Sequence, residues 1–172
     1  MSQPRPLASH GARVWRLGAD VDTDALAPGH AMKYGVETIA RHCLEQLRPD
    51  FAAGVRAGDV LVAGPNFGIG SSREQAASVL VALGVAAVIA PSYSGLYFRN
   101  AFNVGLLLLT CPQAGVLQEG ELIAFDARTG CITRASGEPL TAEPIPDFLL
   151  TMAGAGGLLA QLQQSLISRK TP

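Results

Sequence analysis

Three short segments without a single polar residue, Val60–Ala63, Ala86–Ala90 and Leu106–Leu109, constrain this chain more than anything else in it. Side chains of a strand alternate between two faces, so a wholly apolar strand must be covered on both. The residues between these segments carry helical patterns. Ser72–Leu83 is one, ended by Gly84 where a C′ glycine would sit, and a short helix over Gly95–Phe102 is the other. Apolar strands alternating with helices predict parallel strands joined by right-handed βαβ crossovers. An earlier strand is expected at Ala12–Leu17, around Val14 and Trp15, followed by a polar loop over Asp20–Asp24. A second loop, Pro28–Gly35, leads to an amphipathic helix over Glu37–Leu47 with Ile39, Ala40, Cys43, Leu44 and Leu47 on one face, closed by Pro49. After Pro112 the pattern changes: Glu121–Asp126 and Gly130–Arg134 read as an antiparallel pair. The tail from Phe148 is helical, most regularly over Leu158–Ile167. The expected architecture is α/β with a mixed sheet, one domain over 12–168 behind a flexible lead-in at 1–11.

Composition narrows the partners. Thirteen Lys and Arg against fourteen Asp and Glu give a formal charge of −1, which leaves no electrostatic footprint for nucleic acid or an anionic membrane. Only 16% of the 172 residues are charged, against a usual share of about a quarter, so part of the surface is expected to be covered by a protein partner, or by self-association of the isolated chain. The longest apolar run, Val79–Pro91, is broken by Gly84 and falls short of the roughly 20 residues of a membrane span. Met1–His10 has no apolar core of a secretory signal. Cys43, Cys111 and Cys131 lie far apart in no CxxC pattern, which predicts reduced thiols in the cytoplasm and no metal site in this chain.

Chemistry concentrates in Asn66-Phe-Gly-Ile-Gly-Ser-Ser-Arg-Glu74. A buried strand delivers the chain into a loop where Gly68 and Gly70, lacking a Cβ, let backbone amides approach a ligand. Ser71 or Ser72 is the expected N-cap of the following helix, with Glu74 or Gln75 as its reciprocal partner. The first helical turn and the Arg73 guanidinium would then converge on one anion. A bare strand-to-helix turn competes with this reading. A dinucleotide loop is disfavoured, because Arg73 stands where its third glycine belongs and Ala86–Ala90 carries no acidic residue for a ribose. A nucleophile elbow needs GxSxG, and the chain has Gly70-Ser-Ser-Arg73.

Gly70-Ser-Ser-Arg-Glu74 after Asn66-Phe-Gly68, with Asp22-Thr-Asp24 upstream, resembles the swivelling β/β/α domain of the aconitase superfamily, and within it the family of separate 3-isopropylmalate dehydratase (isopropylmalate isomerase) small subunits. The similarity extends to Gly58–Gly64, Val88–Ser92, Tyr97–Asn100, Asn103–Leu106 and Pro146–Leu149, and spans roughly Val14 to Ala160. It implies a hydro-lyase working as a complex: a large subunit holds a [4Fe-4S] cluster whose iron acts on the substrate hydroxyl, and this chain binds no cofactor itself. It also implies that Ser71 removes the proton next to a carboxylate of a small hydroxy acid. Ser72, Arg73 and the Gly70 backbone bind substrate, and Asp24 lies near a histidine of the large subunit. An alkoxide on Ser71 needs stabilisation, and neighbouring amides with Arg73 are the groups that can supply it.

The loop Pro28–Tyr34 selects substrate in that family, and here it reads His30-Ala-Met-Lys33. Lys33 falls where isopropylmalate enzymes tend to carry an aliphatic residue and homoaconitases an arginine. Lys33 is therefore a candidate substrate-binding residue, and homoaconitate-type and methylated-malate substrates stand beside isopropylmalate. A non-catalytic anion-binding module is the reading outside enzymology.

Overall fold

The computed structural model describes residues 4–170. In chain order it contains β1 (Ala8–Arg16), α1 (Thr23–Leu26), α2 (Val36–Ala40), α3 (Phe51–Gly54), β2 (Val60–Val62), α4 (Gln75–Ala82), β3 (Ala87–Ala90), α5 (Gly95–Asn103) and β4 (Leu107–Thr110). Then follow β5 (Leu122–Asp126), β6 (Cys131–Thr133), β7 (Pro139–Thr141), α6 (Asp147–Ala155) and α7 (Leu158–Lys170). Single 3₁₀ turns lie at Gly29–Ala31 and Ala114–Val116. No described helix is long and apolar enough to cross a membrane.

The strands form one mixed seven-stranded sheet in the order β4-β3-β2-β1-β5-β6-β7. From β4 to β1 the pairing is parallel, and from β1 to β7 it is antiparallel. Every residue of β2 and β3 is buried, as their wholly apolar sequences require of a sheet covered on both faces. The β5–β6 pair forms where expected, with Phe125 opposite Ile132, and β7 extends it through Leu140 opposite Ile132.

The expected lead-in is largely structured. β1 starts at Ala8 rather than Ala12, because Ala8 and Ser9 pair with Asp126 and Phe125 across a bulge. Leu7 is buried, and Arg5 donates to the carbonyl of Val85 and, through its amide, to Gly154. Met1–Gln3 of that lead-in lie outside the described residues.

The helix expected over Glu37–Leu47 ends at Ala40. Beyond it the Leu44 amide donates to the carbonyl of Ala25 at 2.8 Å and Leu44 takes a left-handed φ of 59°, which no continuing helix permits. Ile39, Ala40, Cys43 and Leu44 are buried as the apolar pattern requires, whereas Leu47 is exposed.

Just ahead of β2 a buried carboxylate ties β1 to the approach of that strand. Asp59 Oδ2 accepts from Arg13 Nη2 at 2.6 Å, from Trp15 Nε1 at 2.9 Å and from the Arg56 amide at 2.9 Å. Burial alone would raise its pKa, but the hydrogen bonds from Arg13, Arg56 and Trp15 together outweigh that and hold it below the ordinary value.

Candidate active site

β1, β2 and β3 are adjacent and parallel, so the loops leaving their carboxyl ends emerge along one edge of the sheet. That edge is where open α/β sheets bind ligands. The loop after β1 brings Asp20–Asp24, the loop after β2 brings Asn66–Glu74, and the loop after β3 brings Ser92 and Tyr93 and leads into α5. Backbone bonds lace the three together. Gly68 donates to the carbonyl of Val21 at 2.7 Å, Thr23 to that of Ile69 at 2.8 Å, and Phe67 to that of Ser92 at 3.1 Å.

The glycines serve space as well as backbone freedom. Gly68 has φ +79°, and a Cβ there would stand 2.2 Å from Cγ of the buried Tyr97 ring. Gly70 has φ +101° and faces the Thr23 hydroxyl, 3.2 Å from where its Cβ would be. A side chain at either position would force the loop away from α1 and α5.

Ser71 is placed by a residue the sequence reading did not single out for a role. Its amide donates to Oγ1 of Thr23 at 3.0 Å, and Thr23 is itself only 2% exposed. The expected capping by serine does not occur. α4 begins at Gln75, its N-cap is Glu74 in helical conformation, and no side chain caps it. The reason is that the Ser71 amide is already turned toward Thr23, and the Ser71 carbonyl accepts the Arg73 amide at 2.8 Å, so residues 71–73 form a separate turn ahead of the helix. The Ser71 Oγ is thereby left in solvent without a partner among the described residues, as are the amides of Gly70 and Ser72. Ser72 Oγ accepts a long hydrogen bond, 3.5 Å, from Asn100 Nδ2 of α5.

Arg73 turns back to α1. Its Nη1 donates to Asp24 Oδ1 at 2.6 Å and to the Ala27 carbonyl at 3.1 Å. The Arg73 hydrogen bond holds the Asp24 carboxyl below the usual carboxylate range against a smaller opposing effect of burial. The polar loop expected over Asp20–Asp24 closes instead into α1, capped by Asp22, whose side chain accepts the Ala25 amide at 2.7 Å. Asp-Thr-Asp is the local signal of that cap, and it was readable as such. Nε and Nη2 of Arg73 have no partner among the described residues, so one edge of the guanidinium is open to a carboxylate.

The structure thus brings Gly70, Ser71, Ser72, Arg73 and Asp24 together and adds Thr23 and Asn100. Lys33 is not joined to them. It is exposed, with its ammonium 5.1 Å from the centre of the Tyr34 ring, and no described contact links it to Ser71, Ser72 or Arg73. Cys43 and Cys111 are buried and Cys131 is exposed on β6; no cysteine joins any group of metal-ligating side chains among the described residues. These thiols do not fit an iron–sulfur cluster, which needs several converging cysteines.

Residues 49–114 match the family model of the aconitase C-terminal domain, the span that runs from α3 through the Ser71 loop to β4. The chain is 44% identical over 152 residues to the 3-isopropylmalate dehydratase small subunit 1 of Archaeoglobus fulgidus, covering 86% of this chain and 92% of that one. It is 41% identical to the 3-isopropylmalate dehydratase small subunit of Methanosarcina mazei, over 92% of this chain and 98% of that one. The crystal structure of 3-isopropylmalate dehydratase (leuD) from Methanocaldococcus jannaschii superposes with a TM-score of 0.87 at 34% identity, covering 96% of this chain and 99% of the other. The fold and the family model define an aconitase-type swivelling domain. The chain belongs to the 3-isopropylmalate dehydratase small-subunit family.

Proposed function

We propose that this chain is the small subunit of a cytoplasmic hydro-lyase that interconverts 2- and 3-isopropylmalate by dehydration and rehydration in leucine biosynthesis. It works with a large subunit that holds the [4Fe-4S] cluster. The observation that carries this reading is the Ser71 Oγ, unpartnered and flanked by the unpartnered amides of Gly70 and Ser72, beside an arginine with one open edge. Kinship at about 40% identity to chains of that name supports the substrate.

The open edge of Arg73 binds a substrate carboxylate with two charge-assisted bonds, while Asp24 keeps the guanidinium from rotating. The Gly70 and Ser72 amides lower the cost of a negative oxygen on Ser71, so that Ser71 can take the proton on the carbon next to that carboxylate. Ser72, steered by Asn100, gives a further hydrogen bond to the acid. Proton transfer and carboxylate binding are this chain's share of the reaction. Exposed leucines at 159, 162 and 166 on α7 support a protein partner or self-association on that side.

Ser71→Ala in the enzyme reconstituted with its large subunit tests the reading. Loss of general-base catalysis is expected to lower kcat by about 10²–10⁴-fold with KM little changed. Near-normal turnover would remove Ser71 as the base. Assaying the wild-type pair on isopropylmalate, homoaconitate and methylated malates decides the substrate, and turnover confined to either of the latter overturns the isopropylmalate assignment.

A further inference from the structure

His30, His42 and Glu45 come together on the surface beside the candidate active site. His30 Nε2 lies 2.7 Å from Glu45 Oε1, and His42 Nδ1 lies 2.7 Å from Glu45 Oε2. The two imidazoles meet edge to face, with centroids 5.0 Å apart. One ligand atom from each of the three residues falls within 4.8 Å of the other two. A tetrahedral ion with arms of about 2.0–2.1 Å needs ligand atoms about 3.3 Å apart, a spacing that falls between the 2.7 Å His–Glu separations and the 4.8 Å limit of this group.

The backbone beneath them is fixed by the core. Cys43 and Leu44 are fully buried, and the Leu44 amide is tied to Ala25. A leucine with φ of 59° stands in a left-handed conformation that L side chains disfavour, so the bend persists because burial imposes it. The same bend turns His42 and Glu45 outward toward His30, which sits in the 3₁₀ turn Gly29–Ala31. A cavity of about 400 Å³ runs from Glu45 and His30 past Pro28 to Asp24, which places the cluster at the foot of the Pro28–Tyr34 loop.

We propose that His30, His42 and Glu45 form a binding site for a zinc-type divalent cation that clips the Pro28–Tyr34 loop to the segment following α2. Two imidazoles and one carboxylate are a ligand set that zinc accepts, and the exposed side leaves the fourth position to water. The site is separate from Ser71 and its amides, and it stands whether or not the hydro-lyase reading does.

The test is zinc binding to the full chain, stripped with a chelator and titrated with Zn²⁺ against a chromophoric competitor. One zinc per chain is expected, with a shell of nitrogen and oxygen at about 2.0–2.1 Å and no sulfur at about 2.3 Å by X-ray absorption. His42→Ala and Glu45→Gln are each expected to weaken binding by about tenfold or more. Both lie near the surface, and a circular dichroism spectrum matching wild type shows that they fold. Cys131→Ser is expected to bind as wild type does. The proposal is overturned if wild type takes up no stoichiometric zinc, if the double variant His30→Ala/His42→Ala binds undiminished, or if sulfur appears in the shell.

Discussion

Asp24 and Arg73, 49 positions apart in sequence, are joined at 2.6 Å between Oδ1 and Nη1. The pair links the loop after β1 to the loop after β2 directly beside Ser71, and it does so with a single guanidinium nitrogen, which the Ala27 carbonyl also engages. The remaining donors keep a fixed orientation without being consumed. An ammonium has no such division of labour, since it lacks the planar fork that lets one edge anchor and the other bind.

Arg73→Lys is therefore expected to keep the charge and lose the geometry. In the reconstituted enzyme kcat/KM should fall by about 10–100-fold, the equivalent of one lost charge-assisted hydrogen bond. Steady-state kinetics at two ionic strengths check this. An unchanged kcat/KM would show that Arg73 acts only as a point charge.

Thr23 positions Ser71 without being placed to touch the substrate. Thr23→Val keeps its shape and its burial but removes the acceptor for the Ser71 amide, at a stability cost of about 1 kcal/mol. A misplaced Ser71 should lower kcat by roughly 10–100-fold while leaving KM nearly unchanged. Thr23→Ser, which restores the hydroxyl, should recover most of kcat. A purely structural role for Thr23 would show the stability loss and no selective fall in kcat.

Gly68→Ala places a methyl group against the buried Tyr97 ring at a positive φ. Overpacking together with the left-handed backbone predicts a loss of about 2–4 kcal/mol. Thermal and urea unfolding measure it. A variant as stable as wild type would mean that the loop and α5 separate freely, contrary to the close contact at this turn.

Asp59 makes a pH-dependent contribution. Its carboxyl is depressed in the folded chain, so the stabilisation it provides is complete above its unfolded value of about 3.9 and is lost as pH falls through the lower folded value. Asp59→Asn should cost about 1–3 kcal/mol at neutral pH, with Arg13 left without its carboxylate partner. The difference from wild type should stay constant down to about pH 5 and narrow in more acid solution. Unfolding by urea across that range tests the sign; a gap that widens in acid would contradict it.

What could be read from the residues alone was set by requirements that act locally or over a whole face. Val60–Val62 and Ala87–Ala90 are strands buried on both sides, because nothing in them can face water. Gly84, with φ +79°, ends α4 where its sequence position suggested. The loop carrying Gly70, Ser71, Ser72 and Arg73 was legible from its glycines and its arginine, and the spaced motifs around it pointed to the family that the comparisons show.

Other features were decided between segments far apart in the chain, where no local pattern registers them. The helix predicted over Glu37–Leu47 breaks because the Leu44 amide finds the Ala25 carbonyl. Ser71 does not cap α4 because residues 71–73 form their own turn, held to the Thr23 hydroxyl 48 residues earlier, and the helix starts only at Gln75. Ala8 and Ser9 join the sheet because β5 offers them a partner at Phe125 and Asp126. His30 and His42 belong to separate sequence patterns, and Glu45 comes to stand between them only through the bend at Leu44. Burial is written in a segment's own composition; hydrogen-bond partners are chosen only when parallel packing sets three loops at one edge of the sheet, and the chemistry proposed for this chain depends on that choice.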